Sequence, residues 1–408
     1  MRRPDQFLRM GIFVFCTVIF ATLSVRAEVI HVPGDQPSIN QGLYAASFGD
    51  TVLVAADTYY ENIIWPQIDG INLIGEGSES TIIDGGGVAS VIRFEANDVI
   101  TNATVVDGFT ITNGYAPPPW PYSQGGGIFL FYADPILTDL VITGNNADDF
   151  GGGVYNWGAD PIFRKVVISN NTAASHGGFH CLNGQPTLDH VAVAGNSPGG
   201  LYFETSNYPL IENSIFAGNY YYGIRVEGSS FQPTRIRISY SNTNDAVQLI
   251  GYASVDWLGV NIDADPLFVN EGAGDYHLTS ESPCIDAGDP SYEYDPDGTV
   301  TDMGPFYFHQ TVGIENRSEI PRDFALKQNY PNPFNASTSI SYTIPAASRV
   351  DISIYNLLGQ QVWHESKVHA VPGQYSFNWS AGSHASGVYL ARLTCGGKTE
   401  NIMMTLLK

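Results

Sequence analysis

Tyr155, Trp157, His180, Tyr202, Glu204, Arg225 and Glu227 fall at matching offsets behind a recurring glycine motif. If the motif places them on successive strands, they form two outward columns about 4.8 Å apart per step. One reads Phe129, Tyr155, His180, Tyr202, Arg225; the other reads Phe131, Trp157, Leu182 or Asn183, Glu204, Glu227. Exposed rings in register would stack on pyranose faces, with His180, Glu204, Arg225 and Glu227 bonding hydroxyls. Glu204 and Glu227, one repeat apart, are also a candidate carboxylate pair, because two carboxyls about 5 Å apart suit displacement at a sugar carbon with retention. The insert Ala116–Gln124, with Trp120 and Tyr122, emerges just before this surface. It would either wall a groove or cover the rings.

A second column holds Asp139, Lys165, His190 and Asn213, flanked by Thr138, Arg164, Asp189 and Glu212. Abstraction of the proton beside a uronate carboxylate needs a base near neutral pH. Lys165 is a candidate, but the flanking acids favour its protonated form, which is wrong for a base. The column reads more simply as a compensated charge ladder. Asp295, Asp297 and Asp302 around Gly298 offer oxygen ligands suited to Ca²⁺, without the spacing or final Glu of an EF-hand loop.

The element that positions these residues is a repeat. Gly126-Gly127-Ile128, Gly152-Gly153-Val154, Gly177-Gly178-Phe179, Gly199-Gly200-Leu201 and Tyr222-Gly223-Ile224 each open a unit. Pro135, Pro161, Pro186, Pro209 and Pro233 follow, and Asn145, Asn171, Asn196, Asn219 and Asn242 close the units. A unit of about 25 residues holds only short strands and cannot bury a core alone, so units must stack. A β-propeller blade needs about 40 residues, which excludes that rival. The expected fold is all-β: a right-handed parallel β-helix solenoid, with each Asn bonding its copy one coil away and Gly at bends that need positive φ. Ser38–Ser47 reads as a short amphipathic capping helix, with Ile39, Leu43 and Ala46 on one face.

Composition limits the partners. The 408 residues carry a formal charge of −23, and phosphate binding needs clustered Lys and Arg, so nucleic acid is excluded as a partner. The charge divides unevenly: residues 28–320 hold 36 acidic and 7 basic side chains, residues 321–408 hold 4 and 7. Between Asp256 and Asp302 there are twelve acids and no Lys or Arg. Residues 1–27, basic and then apolar with Ala27 at the cleavage point, read as a signal peptide. No stretch of the remaining chain is long and apolar enough for a membrane span. Cys181, Cys284 and Cys395 would then remain, with room for one bridge and at least one free thiol.

Two resemblances follow from local motifs. His31-Val32-Pro33-Gly34-Asp35, Gly49-Asp50-Thr51-Val52 and Thr58-Tyr59-Tyr60-Glu61-Asn62, with Ser282-Pro283-Cys284-Ile285-Asp286-Ala287-Gly288 near the end, resemble secreted pectin-lyase-like right-handed β-helix proteins. That fold carries lyases, hydrolases and adhesins, so it does not select an activity. Gln328-Asn329-Tyr330-Pro331-Asn332-Pro333-Phe334-Asn335, Leu358-Gly359-Gln360 and Ala385-Ser386-Gly387-Val388-Tyr389 resemble the C-terminal sorting domain read by the type IX secretion machinery. The alternating runs around them predict an antiparallel β-sandwich. The resemblance implies export through the periplasm of a Gram-negative-type bacterium to its surface or medium.

The expected organisation is therefore a signal peptide (1–27), a capped β-helix (28–255), an acidic closing segment (256–312), a linker (313–323) and a sandwich sorting domain (324–408). The expected role is binding of glycans or surface partners, with a polysaccharide lyase or glycoside hydrolase as the alternative.

Overall fold

The computed structural model describes residues 27–95, 98–310, 324–345, 348–369, 373–382, 384–396 and 398–407. The leader expected over 1–27, apart from Ala27, and the linker expected over 313–323 lie outside the described residues. The chain divides into two compact units, Met1–Gln310 and Thr311–Lys408.

The first unit is a parallel solenoid of about nine turns. Its eight-stranded sheet runs Ile63–Ile64, Ile92–Glu95, Ile128–Phe131, Val154–Trp157, Phe179–Leu182, Leu201–Glu204, Ile224–Gly228 and Val247–Gly251, each strand beside its copy one coil on. A sixteen-stranded sheet forms most of the remaining wall, from Val29–Val32 to Ala253–Leu258. Strands put alternate side chains on opposite faces. Thus Ile128, Val154, Phe179, Leu201 and Ile224 all face inward and are fully buried. The helix Ile39–Ala45 closes the first end, capped by Ser38, whose hydroxyl accepts from the Gln41 amide at 3.2 Å.

The asparagine ladder forms over four coils. Each Nδ2 donates to the next Oδ1: Asn145 to Asn171 at 3.1 Å, Asn171 to Asn196 at 3.1 Å, and Asn196 to Asn219 at 3.0 Å. Asn242 does not extend it. It lies in register with Ile215, and Asp245 takes the fifth place, accepting from the Asn219 amide, the Asn219 Nδ2 and the Gly218 amide. A carboxylate accepts without donating, so the relay stops there.

The glycine doublets also need correction. The backbone at Gly126, Gly152 and Gly177 is not left-handed. These glycines are required because a Cβ at Gly152 would stand 2.1 Å from the Thr172 carbonyl oxygen of the next coil, and one at Gly126 would stand 2.2 Å from that of Asn146. Glycine does take left-handed bends close by, at Gly125, Gly144, Gly151, Gly195 and Gly199, and other residues take further ones. Asp139, Lys165, His190 and Asn213 all have φ between 48° and 55°; Lys165, His190 and Asn213 stand at a bend between two strands, and Asp139 holds the same place within the continuous strand Ile136–Thr143.

The closing segment pairs Phe268–Asn270 antiparallel with Asp275–Leu278 and returns along the side of the solenoid. Tyr276 packs against Val167 and Ala194, and Leu278, Cys284 and Met303 pack against Ile215 and Ala217. In the second unit a three-stranded sheet (Ala325–Leu326, Ser337–Ile344, Gly373–Ser380) and a four-stranded sheet (Gln361–His369, Ser348–Asn356, Gly387–Cys395, Lys398–Leu406) are antiparallel. They share a core that includes Ile340, Tyr342, Ile354, Trp379, Leu393 and Met404. Among the described residues Cys181, Cys284 and Cys395 are buried and form no disulfide.

Candidate functional site

The eight-stranded sheet sets both outward columns in strict register. One runs Arg93, Phe129, Tyr155, His180, Tyr202, Arg225, Gln248. The other runs Glu95, Phe131, Trp157, Leu182, Glu204, Glu227, Ile250, so Leu182 and not Asn183 holds the fourth place.

The first column is not an open stacking surface. Phe129, Tyr155, His180 and Tyr202 are 2%, 3%, 3% and 5% exposed. The chain leading into each glycine doublet folds over them. Phe150 packs edge-on against His180 at 5.0 Å, and His176 stacks on Tyr202 at 3.7 Å, nearly parallel, with its Nδ1 2.5 Å from the Tyr222 hydroxyl. Tyr155, His180 and Tyr202 therefore form a covered aromatic layer rather than the expected sugar platform. Burial, then the neighbouring Arg225, lowers the His176 pKa to about 4. Burial and His176 drive His180 well below the usual imidazole range, so both rings are neutral at pH 7. Neither His180 nitrogen has a hydrogen-bond partner, and Nε2 lies 4.0 Å from Glu204.

Two hollows open beside this layer. One, of about 280 Å³, is lined by Glu95, Trp120, Pro121, Tyr122, Phe129, Phe131 and Trp157. Trp120 and Trp157 approach at 5.7 Å and Phe131 meets Trp157 edge-on at 5.2 Å. The insert thus walls the groove at Trp157, while other chain segments cover the rings further along. Glu95 accepts from the Arg93 Nε at 2.8 Å, and the Arg93 guanidinium lies 3.9 Å from the centre of Phe129 and 5.1 Å from that of Tyr122. The second hollow, of about 340 Å³, is lined by Ser175, His176, Pro198, Tyr221, Tyr222, Arg225 and Gln248.

Glu204 and Glu227 are in register on adjacent strands and each is about 40% exposed. Glu227 accepts from the Tyr202 hydroxyl at 2.9 Å and lies 3.6 Å from Arg225. Burial and the nearby Glu227 charge raise the Glu204 pKa. Lys165 stands on the other wall, at the left-handed bend, and is not brought near this pair. Its neighbours fasten the closing segment instead. His190 bridges Asp189 at 2.6 Å and Thr301 at 2.9 Å, Arg164 holds Asp189 at 3.1 Å, and the Tyr292 hydroxyl donates to Glu212 at 2.7 Å.

The three candidate calcium ligands are each engaged by backbone amides. Asp295 accepts from the Asp302 amide, Asp297 from Thr299 and Gln310, and Asp302 from Asp286 and Phe308. Among the described residues no group of three or more acidic, His or Cys side chains is arranged to hold a metal ion. Burial, reinforced by Asp295 and Asp286, pushes Asp302 up to about 6. A carboxyl raised in the fold binds more protons there than in the unfolded chain, so its contribution falls as pH rises from about 4 to 6. The Asp302→Asn variant is expected to lose roughly 2 kcal/mol of that pH-dependent change. Denaturant midpoints at pH 4.5 and pH 7, compared with the unaltered chain, measure it.

Sequence reasoning missed four contributors. Arg93 and Glu95 belong to a coil in which Ser90-Val91 stands where later coils carry the glycine doublet, so their register was invisible. His176 stands where the two preceding coils place Gly125 and Gly151, both left-handed, and that substitution was the readable signal. Tyr222 was noted only as a repeat marker.

Comparison with known proteins agrees with this architecture. Residues 60–248 match the right handed beta helix region family, and residues 328–405 match the secretion system C-terminal sorting domain. The chain is a right-handed β-helix protein with a type IX sorting tail. This β-helix protein is similar to the pectin methylesterase of Aspergillus niger, at 13% identity over 68% of this chain and 94% of that one, with a TM-score of 0.39. It is also similar to the enzymatically active domain of tailspike protein 2 of bacteriophage CBA120, at 10% identity over 93% and 76%, with a TM-score of 0.21. No curated protein matches it. The sorting tail implies recognition by the type IX machinery and export of the β-helix protein to the cell surface or beyond. Among its described residues no helix is long and apolar enough to cross a membrane.

Proposed function

We propose that this exported β-helix protein binds an extended glycan along the column from Glu95 to Glu227. The observation that carries this reading is the aromatic hollow formed by Trp120, Tyr122, Phe131 and Trp157 beside the Glu95 carboxylate. Flat rings with an adjacent hydrogen-bonding acid suit a sugar, which has an apolar face and a hydroxyl rim. From Glu95 to Glu227 the column spans five strand steps, about 24 Å, enough for several sugar units. Arg225 and the second hollow flank its far end. Trp157 and Arg225 thus retain the substrate-binding role, while Tyr155, His180 and Tyr202 support them from below.

Hydrolysis of the same glycan is a second reading. It rests on the in-register Glu204 and Glu227, whose backbones are one strand step apart, and on their unequal surroundings. Nothing comparable supports a lyase, since Lys165 is on the other wall.

A glycan array followed by titration of Trp fluorescence tests the binding. Trp157→Ala is expected to weaken the best ligand by about 30-fold, the loss of one buried aromatic contact of about 2 kcal/mol. An unchanged affinity would refute the site. Reducing ends released during the same incubation would identify hydrolysis, and their absence with intact binding leaves a binding protein.

A further inference from the structure

The two ends of the solenoid are built differently. At the first, the helix Ile39–Ala45 covers the core, and Ile39 and Leu43 are fully buried. At the last coil nothing equivalent is present among the described residues. Leu249 is in register with Val226, Val255 with Ile236, and Trp257 with Ile238, so all three point inward along the core columns. Val226, Ile236 and Ile238 are completely buried, yet Leu249 is 51% and Trp257 52% exposed. The core is open at this end. Its strands Val247–Gly251 and Ala253–Leu258 are the last of their sheets, so each keeps one unpaired backbone edge. The closing segment does not cover them, because it turns back along the side against Val167, Ala194 and Ile215.

An apolar cross-section rimmed by unpaired edges is a template for further strand pairing. We propose that it is covered by the same end of a second copy of this chain, giving a two-fold, end-to-end dimer. Three features select that occupant. Head-to-tail stacking would meet the capping helix of the next copy, whereas the like end of a second copy offers the same open strands and apolar side chains. A two-fold axis through the end sets the edge strands antiparallel to their copies, and such an isologous contact closes on itself. The two edge strands are also electrically neutral within a strongly acidic solenoid: from Val247 to Leu258 the only charged side chain is Asp256, which is paired with Arg235 at 2.6 Å, and the nearby Asp245 is turned to the Gly218 and Asn219 amides. Like copies can therefore approach here as they cannot over the acidic closing segment. With Tyr252 and Leu258 at the rim, each copy offers roughly 500 Å², and a pair would bury about 1,000 Å², the lower bound for a specific contact. A reversible dimer with micromolar affinity is expected.

Sedimentation velocity of the exported chain across the micromolar range tests this. The expected result is a monomer–dimer equilibrium in which Leu249→Glu and Trp257→Glu each weaken association by about tenfold or more. Val88→Glu, an exposed apolar site in an early coil, should leave it unchanged. Hydrogen exchange gives a readout on the unaltered protein: amides of Val247–Leu258 should gain protection as concentration rises. A monomer at every concentration would overturn the proposal. So would a dimer indifferent to both end variants, or one that leaves the end amides unprotected.

Discussion

Asn171→Asp is expected to destabilise the solenoid by about 4 kcal/mol or more, whereas Asp245→Asn, at the end of the same ladder, is expected to change little. Asn171 is fully buried and uses both halves of its amide. Its Nδ2 donates to the Ile142 carbonyl at 2.9 Å and to Asn196, and its Oδ1 accepts from the Asn145 amide at 3.0 Å and from Asn145 Nδ2. A carboxylate keeps the acceptors and loses both donors. It leaves the Ile142 carbonyl and the Asn196 oxygen facing a buried negative charge, and each lost buried partner costs about 1–3 kcal/mol. Asp245 accepts on both oxygens, from the Gly218 amide on one and from the Asn219 amide and Nδ2 on the other, so an amide there keeps the Asn219 bonds and gives up only the exposed Gly218 one. Denaturant unfolding of the paired variants measures the contrast. Because coils couple mainly to nearest neighbours, exchange of the Asn145 and Asn196 amides should rise first. Equal losses at both positions would refute the relay.

Gly152→Ala is expected to cost about 3 kcal/mol or more, although alanine is the smallest chiral residue and the backbone there is not left-handed. The added Cβ would lie 2.1 Å from the Thr172 oxygen and 2.7 Å from the Gly177 oxygen, both on the next coil. Neither is the tip of a flexible side chain. Relief would require separating strands whose spacing is held by their own hydrogen bonds, and overpacking of this kind costs about 1–3 kcal/mol even where side chains can yield. Gly86→Ala is the matching control. Gly86 has φ of +65° but nothing within 4 Å of a built Cβ, so it should pay only the backbone term of about 1 kcal/mol. Thermal melts of the two variants separate close approach from conformational freedom. A larger shift at Gly86 would reverse the assignment.

Much of the fold is legible along the chain because a solenoid repeats its local problem. Alternation decides that Ile128 and Val154 point inward, and the repeat length decides that Tyr155 and His180 lie one above the other. Both are nearest-neighbour facts. The candidate site depended on contacts of longer range. Phe150 and His176 each cover a ring one coil on, His180 and Tyr202, and nothing in their spacing says which way those bends fold. Arg93 escaped the repeat because Ser90-Val91 stands in its coil where later coils carry the doublet. Asn242 looked like a ladder member because its spacing from Asn219 is ordinary, and only the strand register showed Asp245 in its place.

The sequence by itself determined the stacked coils, the identity of their inward columns and the character of the tail, because each follows from periodicity that a few residues express locally. Only the tertiary structure decided which outward rings meet solvent, which carboxylates are tied to backbone amides, and which end of the core is left open. Those outcomes depend on where loops and the closing segment settle, and packing between distant segments is not encoded in any one repeat.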